Sequence, residues 1–86
     1  MPASVTIYTT GYCGYCMLAK QLLQRKGVSY TEISVDRDPA KRNEMIALSQ
    51  RNTVPQIFID QQHIGGCDEV YLLERSGELD ALLGLT

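Results

Sequence analysis

Between Val5 and Val35 the chain reads strand, helix, strand, and this run constrains the fold more than any other feature. Val5-Thr6-Ile7-Tyr8 alternates and uses β-branched and aromatic residues, which suit a pleated, half-buried strand. From Gly14 to Lys26 the period changes. Tyr15, Leu18, Ala19, Leu22 and Leu23 recur at helical spacing and make one apolar face, with Lys20, Gln21, Gln24 and Arg25 opposite. Arg25 and Lys26 complement the negative helix end, and Gly27 is a stop. Ser29 to Val35 alternates again as a second strand. A strand–helix–strand unit in one sheet is parallel and right-handed in nearly every case, because only that hand packs the helix back on a twisted sheet.

The remainder extends this unit. Asp38 before Pro39 predicts an N-cap with proline at the first helical position, and a helix to Leu48 or Ser49. Its stripe of Ala40, Met45 and Leu48 is thin, so this helix should lie on the surface of the sheet. Val54 to Ile59 reads as a third strand with Pro55 at its start. Asp60-Gln61-Gln62 is a hairpin turn, Gln62-His63-Ile64 a short fourth strand, and Gly65-Gly66 a break. Asp68 to Arg75 predicts a third helix. Ser76-Gly77 interrupts it, and Leu79, Leu82 and Leu83 form a last turn packing on the core. The expected fold is α/β, a single domain over residues 1–86. It has a four-stranded mixed sheet, βαβ then ββα, with helices on both faces.

Chemistry concentrates where the first strand gives way to the first helix, at Thr9-Thr10-Gly11-Tyr12-Cys13-Gly14-Tyr15-Cys16. A helix N-terminus carries roughly half a positive charge, and a sulfur placed there is favoured as thiolate. Cys13 is therefore the candidate nucleophile. Cys16, one turn along, is the candidate resolving thiol. Such a pair beside a βαβ pattern points to a thioredoxin-like redox fold. Three cysteines is an odd number, and the N-terminus lacks a basic segment followed by a long apolar one, so a disulfide-stapled secreted scaffold is not expected. A reducing, cytoplasmic setting fits better. Eight basic against ten acidic residues give no large single-sign field, and no apolar run approaches a membrane span, so neither nucleic acid nor membrane is an expected partner.

Three segments, in order, carry a resemblance: Cys13-Gly14-Tyr15-Cys16, Thr53-Val54-Pro55-Gln56-Ile57-Phe58 and Ile64-Gly65-Gly66-Cys67-Asp68. Over nearly its whole length the chain resembles a small dithiol glutaredoxin. The resemblance implies a thioredoxin fold and glutathione as reductant. It also implies reduction of protein disulfides and glutathione mixed disulfides, with targets such as ribonucleotide reductase. It implies a cis bond before Pro55, which would turn the Val54 backbone towards Cys13 to pair with the cysteinyl part of glutathione. Glutathione-binding candidates are then Cys13, Tyr15, Arg42, Thr53, Val54, Pro55, Gly66, Cys67 and Asp68. Gly65-Gly66 would let a ligand approach the backbone, and the helix start at Cys67 and Asp68 offers N–H groups to its γ-glutamyl carboxylate. Asp68 suits the ammonium group, and Arg42 the glycine-end carboxylate. Read from composition alone, Asp68 is an N-cap and Arg42 a solvated helix residue.

Two departures from the family pattern stand inside the first segment. Thr10 occupies a position where many relatives carry lysine, so a cation that would stabilise the thiolate is absent. Gly14 replaces a common proline. Family members with glycine or serine there sometimes bind a [2Fe–2S] cluster between two subunits through the first cysteine and glutathione, which makes a cluster-carrying dimer using Cys13 the alternative to a monomeric enzyme. A zinc site from Cys13, Cys16, His63 and Cys67 has the right ligand types but the poorer fit to the helical pattern. Cys67 otherwise reads as a small buried hydrophobe and His63 as a core-edge histidine. Tyr15 is claimed both by the apolar helix stripe and by the ligand, which predicts partial exposure.

Overall fold

A computed structural model describes residues 3–85. Four strands form one mixed sheet in the order β2-β1-β3-β4. They are β1 (Val5–Thr9), β2 (Thr31–Ser34), β3 (Gln56–Ile59) and β4 (Gln62–Gly65). β1 pairs with β2 in parallel, Tyr8 opposite Ile33. It pairs with β3 antiparallel, Ile7 opposite Ile57, and β3 pairs with β4 antiparallel. The helices are α1 (Gly14–Arg25), α2 (Pro39–Ser49), α3 (Cys67–Ser76) and a short α4 (Glu78–Leu82).

Alternation along the central strands builds two cores. Val5 and Ile7 of β1 with Ile57 and Ile59 of β3 face Ala19, Leu22 and Leu23 of α1, Val70 of α3, and Leu79 and Leu83 at the chain's end. Tyr8 and Phe58 point the other way and meet Val35 and Met45 of α2. Helices therefore cover both faces, as the pattern required. Lys26, at the end of α1, pairs with Glu74 at 2.6 Å and Asp80 at 2.8 Å, which ties α1 to α3 and α4.

Several expectations are corrected. The buried stripe of α1 is Cys16, Ala19, Leu22 and Leu23, while Tyr15 and Leu18 are exposed. Rotating the stripe by one residue leaves Tyr15 and Leu18 outside and turns Cys16 inward, as its place one turn into the helix led one to expect. In α2 the buried positions are Met45 and Ser49, with Ile46 half-buried; Ala40 and Leu48 face outward. The Asp38 cap forms as expected, its Oδ1 accepting the Lys41 N–H at 3.1 Å. β4 does not break at Gly65. With φ at +127°, a backbone that a side-chain-bearing residue rarely adopts, Gly65 pairs opposite Ile57 after a β-bulge that shifts the register by one residue. The hairpin turn at Asp60 and Gln61 has both residues at positive φ, the mirror-image turn usually built with Asn-Gly. Asp60 Oδ1 accepts the Ser4 N–H at 2.9 Å and anchors that turn to the start of β1.

Candidate active site

Cys13 is the N-cap of α1, in extended backbone just after β1. Its Sγ accepts the Cys16 N–H at 3.1 Å, so an unpaired amide of the helix start is aimed at the sulfur. Its other close contact is the Val54 carbonyl oxygen, 3.7 Å away, towards which the thiol can donate. The Val54–Pro55 bond is cis. Cys13 is half-exposed whereas Cys16 is only 1% exposed, and all three cysteines are free thiols. Burial, then hydrogen bonding to Cys13, pushes the Cys16 thiol up to about 12. The two sulfurs are thus differentiated by the helix start: one faces outward, and the other, three residues on, sits under it.

Beside them runs an open groove of about 250 Å³. Tyr15 forms one wall and Thr53, Val54 and Pro55 another. Gly66, Cys67 and Asp68 close the far side with the first turn of α3. Tyr15 is 64% exposed and borders the groove rather than the core. A Cβ on Gly66 would stand 3.2 Å from the Pro55 carbonyl oxygen, so glycine lets these two walls meet. Gly66, not Asp68, is the N-cap of α3. Asp68 is the second residue of the helix, and its side chain is left to face the groove rather than to cap.

The segment before the cis bond is held from below. Gln56, fully buried, donates from Nε2 to the Thr53 carbonyl at 3.0 Å and hydroxyl at 3.2 Å, while its Oε1 meets His63 Nε2 at 2.7 Å. Burial, then the charge of Arg51, lowers the pKa of His63 and keeps it neutral in this network. His63 is therefore structural here, turned to Gln56, and the Cys–His ligand set of a zinc site is not assembled. Among the described residues no three His, Cys, Asp or Glu side chains converge as metal ligands. Cys67 borders the groove but is 8% exposed, and burial, then the Asp68 charge, raises its thiol above the ordinary value.

Arg42 is not in the groove wall. Its guanidinium donates to Asn52 Oδ1 at 2.9 Å and to the Asn52 carbonyl at 3.3 Å, bracing the turn after α2. The cation that borders the groove is Arg51, which no motif in the sequence marks out. Its guanidinium lies 2.6 Å from Glu69 Oε1, and that oxygen also accepts the Gly66 N–H at 2.7 Å. These bonds, that to Gly66 first, hold the Glu69 carboxyl below its usual range. One carboxylate therefore clamps the two sides of the groove together. The only available signal was the position of Arg51, two residues before Thr53.

Comparison with known proteins places these features. A family model described as Glutaredoxin matches residues 5–64. Glutaredoxin 3 of Escherichia coli (strain K12) is 59% identical over 81 residues, covering 94% of this chain and 98% of that protein. The solution structure of Glutaredoxin from Brucella melitensis superposes with a TM-score of 0.86 at 50% identity, over 98% of this chain and 91% of that one. The crystal structure of a buckwheat glutaredoxin–glutathione complex does so with a TM-score of 0.87 at 33% identity, over 95% and 77%.

Proposed function

The chain belongs to the glutaredoxin family and is a thiol–disulfide oxidoreductase of bacterial type, and from that premise we propose that it uses glutathione to reduce glutathione mixed disulfides and protein disulfides through Cys13 and Cys16. One observation carries this reading. The half-exposed sulfur of Cys13 caps α1 and meets the carbonyl of Val54, which lines a groove walled by Tyr15, the cis Val54–Pro55 segment and the start of α3. No helix among the described residues is long and apolar enough to cross a membrane, and a reducing cytoplasm is the setting in which such a dithiol works.

Each residue then has a role. Cys13 thiolate attacks the glutathione sulfur of a mixed disulfide and releases the target thiol. The Val54 N–H and C=O are placed to pair with the cysteinyl unit as an added strand does. The α3 N–H groups at Cys67 and Asp68 suit the γ-glutamyl carboxylate, since an N-terminus concentrates unpaired donors and positive potential. The Asp68 carboxylate suits the ammonium. Arg51, rather than Arg42, is the cation on the wall for the glycine-end carboxylate, and Tyr15 offers its ring beside the bound tripeptide. A second glutathione then resolves the Cys13 adduct. With a protein disulfide, Cys16 does so instead.

The experiment is a glutathione mixed-disulfide reduction assay coupled to glutathione reductase, run beside a protein-disulfide assay. Cys13→Ser should lose both activities. Cys16→Ser should lose only the second. Activity surviving in Cys13→Ser, or both lost in Cys16→Ser, would overturn the assignment.

A further inference from the structure

The groove meets the cysteine pair through Val54, whose carbonyl contacts Cys13, and Cys16 does not line it. That thiol must nevertheless lose its proton when it resolves a mixed disulfide. On the other side of the cysteine pair the structure has a second recess, also about 250 Å³ and open to solvent. Thr9, Cys13, Cys16, Lys20, Glu32 and Ser34 border it. Lys20 is four residues along α1 from Cys16, so the two side chains share a helix face with Cβ atoms about 5–6 Å apart. The ammonium is not loose. Its Nζ lies 3.0 Å from Glu32 Oε2 across the gap to β2. The same oxygen accepts the hydroxyl of Thr9, buried at the end of β1, at 2.7 Å. A helix, a central strand and an edge strand thus fix one cation beside a buried thiol.

An exposed Lys–Glu pair ordinarily contributes little stability, about 0–1 kcal/mol. Two facts set this one apart. It borders the same recess as Cys16, and a buried hydroxyl is committed to orienting its carboxylate. We propose that Lys20, held by Glu32 and Thr9, is a positioning residue that supplies the charge against which Cys16 forms its thiolate in the resolving step. The inference rests on Cys16 being the resolving thiol. The proton of Cys16 leaves to water through the recess. The sulfur's electron pair attacks Cys13 Sγ, and the Cys13–Cys16 bond forms. The bond from Cys13 to the target sulfur breaks, and that sulfur departs as thiolate with the electron pair. The target is reduced, the dithiol is oxidised, and no further reactant is needed.

The charged and polar groups facing Cys16 agree with this role. Burial and neighbouring Cys13 oppose its ionisation, while the Thr10 backbone and Lys20 favour it. Glu32 and Tyr30 act on Lys20 and hold it charged, and Glu32 itself is kept ionised, first by Thr9 and then by Lys20. Asp36 is turned to the Gly11 N–H.

A single-turnover reaction of the reduced protein with a chromogenic aromatic disulfide tests the proposal. The first aryl thiolate released reports attack by Cys13, and the second reports attack by Cys16. For a full charge within about 6–8 Å of the sulfur, removal changes the thiolate population about tenfold in a medium between protein and water. A more basic thiolate is also the better nucleophile, so the net loss is about three- to fourfold. Lys20→Gln should slow the second phase by that factor and leave the first unchanged, and Lys20→Arg should restore it. A second phase unaffected in Lys20→Gln, an equal loss in both phases, or no rescue by arginine would overturn the proposal. In Cys16→Ser the second phase should vanish. Its persistence would overturn the reading of Cys16 itself, a separate outcome from failure at Lys20.

Discussion

Replacing Glu69 tests how the groove is held together. Its Oε1 accepts the Gly66 N–H at 2.7 Å and the Arg51 guanidinium at 2.6 Å, joining the two walls through one atom. Glu69→Ala removes both bonds. Loss of a side-chain acceptor at a helix start costs about 1 kcal/mol. The ion pair is 46% and 37% exposed on its two sides, so it is discounted for solvent screening to about 0.5 kcal/mol. The sum, about 1.5 kcal/mol, corresponds to a fall in melting temperature of roughly 6–12 °C for a domain of this size. Glu69→Gln keeps an oxygen for Gly66 and loses only the charge, so it should cost about 0.5 kcal/mol. The pH dependence has a definite sign. The folded carboxyl is held below its usual 4.5 by Gly66 and Arg51. Its contribution is therefore complete above that value and is lost as pH falls through the folded pKa. Urea unfolding of both variants at neutral pH and again near pH 4 reads both effects. The gap between wild type and Glu69→Gln should narrow on acidification. If Glu69→Ala matches wild type, or if the gap widens in acid, the clamp does not hold the walls.

Two further predictions concern what lies beneath the site. Leu23 is fully buried where α1 meets the sheet, so Leu23→Ala should cost about 2–5 kcal/mol by urea unfolding, and a smaller loss would mean the core can collapse into the space. Gln56→Leu removes both donors to Thr53 and the partner of His63, leaving polar atoms unpaired beside a buried position. It should cost about 1–3 kcal/mol and speed hydrogen exchange in the segment before Pro55; unchanged exchange there would show that the cis segment holds its shape without Gln56.

The architecture was legible because its information is local. Alternation at Val5–Tyr8, helical spacing from Gly14 and the Asp38-Pro39 start each depend on a few neighbouring residues, and each reappears as an element. Errors arose where a tertiary contact outvoted the local pattern. Tyr15 and Leu18 fit the apolar stripe of α1, yet α3 and the sheet cover the adjacent stripe, and Cys16 goes in. Asp68 looked like a cap. Glu69 reaching back to Gly66 moved the helix start earlier, and Gly65 could remain in β4 because a positive φ is open to it.

The site divides along the same line. Cys13, Tyr15, Val54 and Asp68 belong to contiguous segments, so a reader of the sequence can assemble them. The Arg51–Glu69 pair joins residues 18 apart and the Lys20–Glu32 pair residues 12 apart, and no short-range rule connects either. These two pairs are the charged links on either side of the cysteines. One borders the groove that Val54 joins to Cys13, and the other lines the recess that Cys16 shares with Cys13. The chain has Thr10 three residues ahead of the first cysteine, with no charge to offer it. The cation that acts on Cys16 is Lys20, held in the recess by Glu32. A protein built this way places its electrostatic support on the resolving step and leaves the first attack to the amide of Cys16, which is why the two phases of thiol release should respond differently to a single charge.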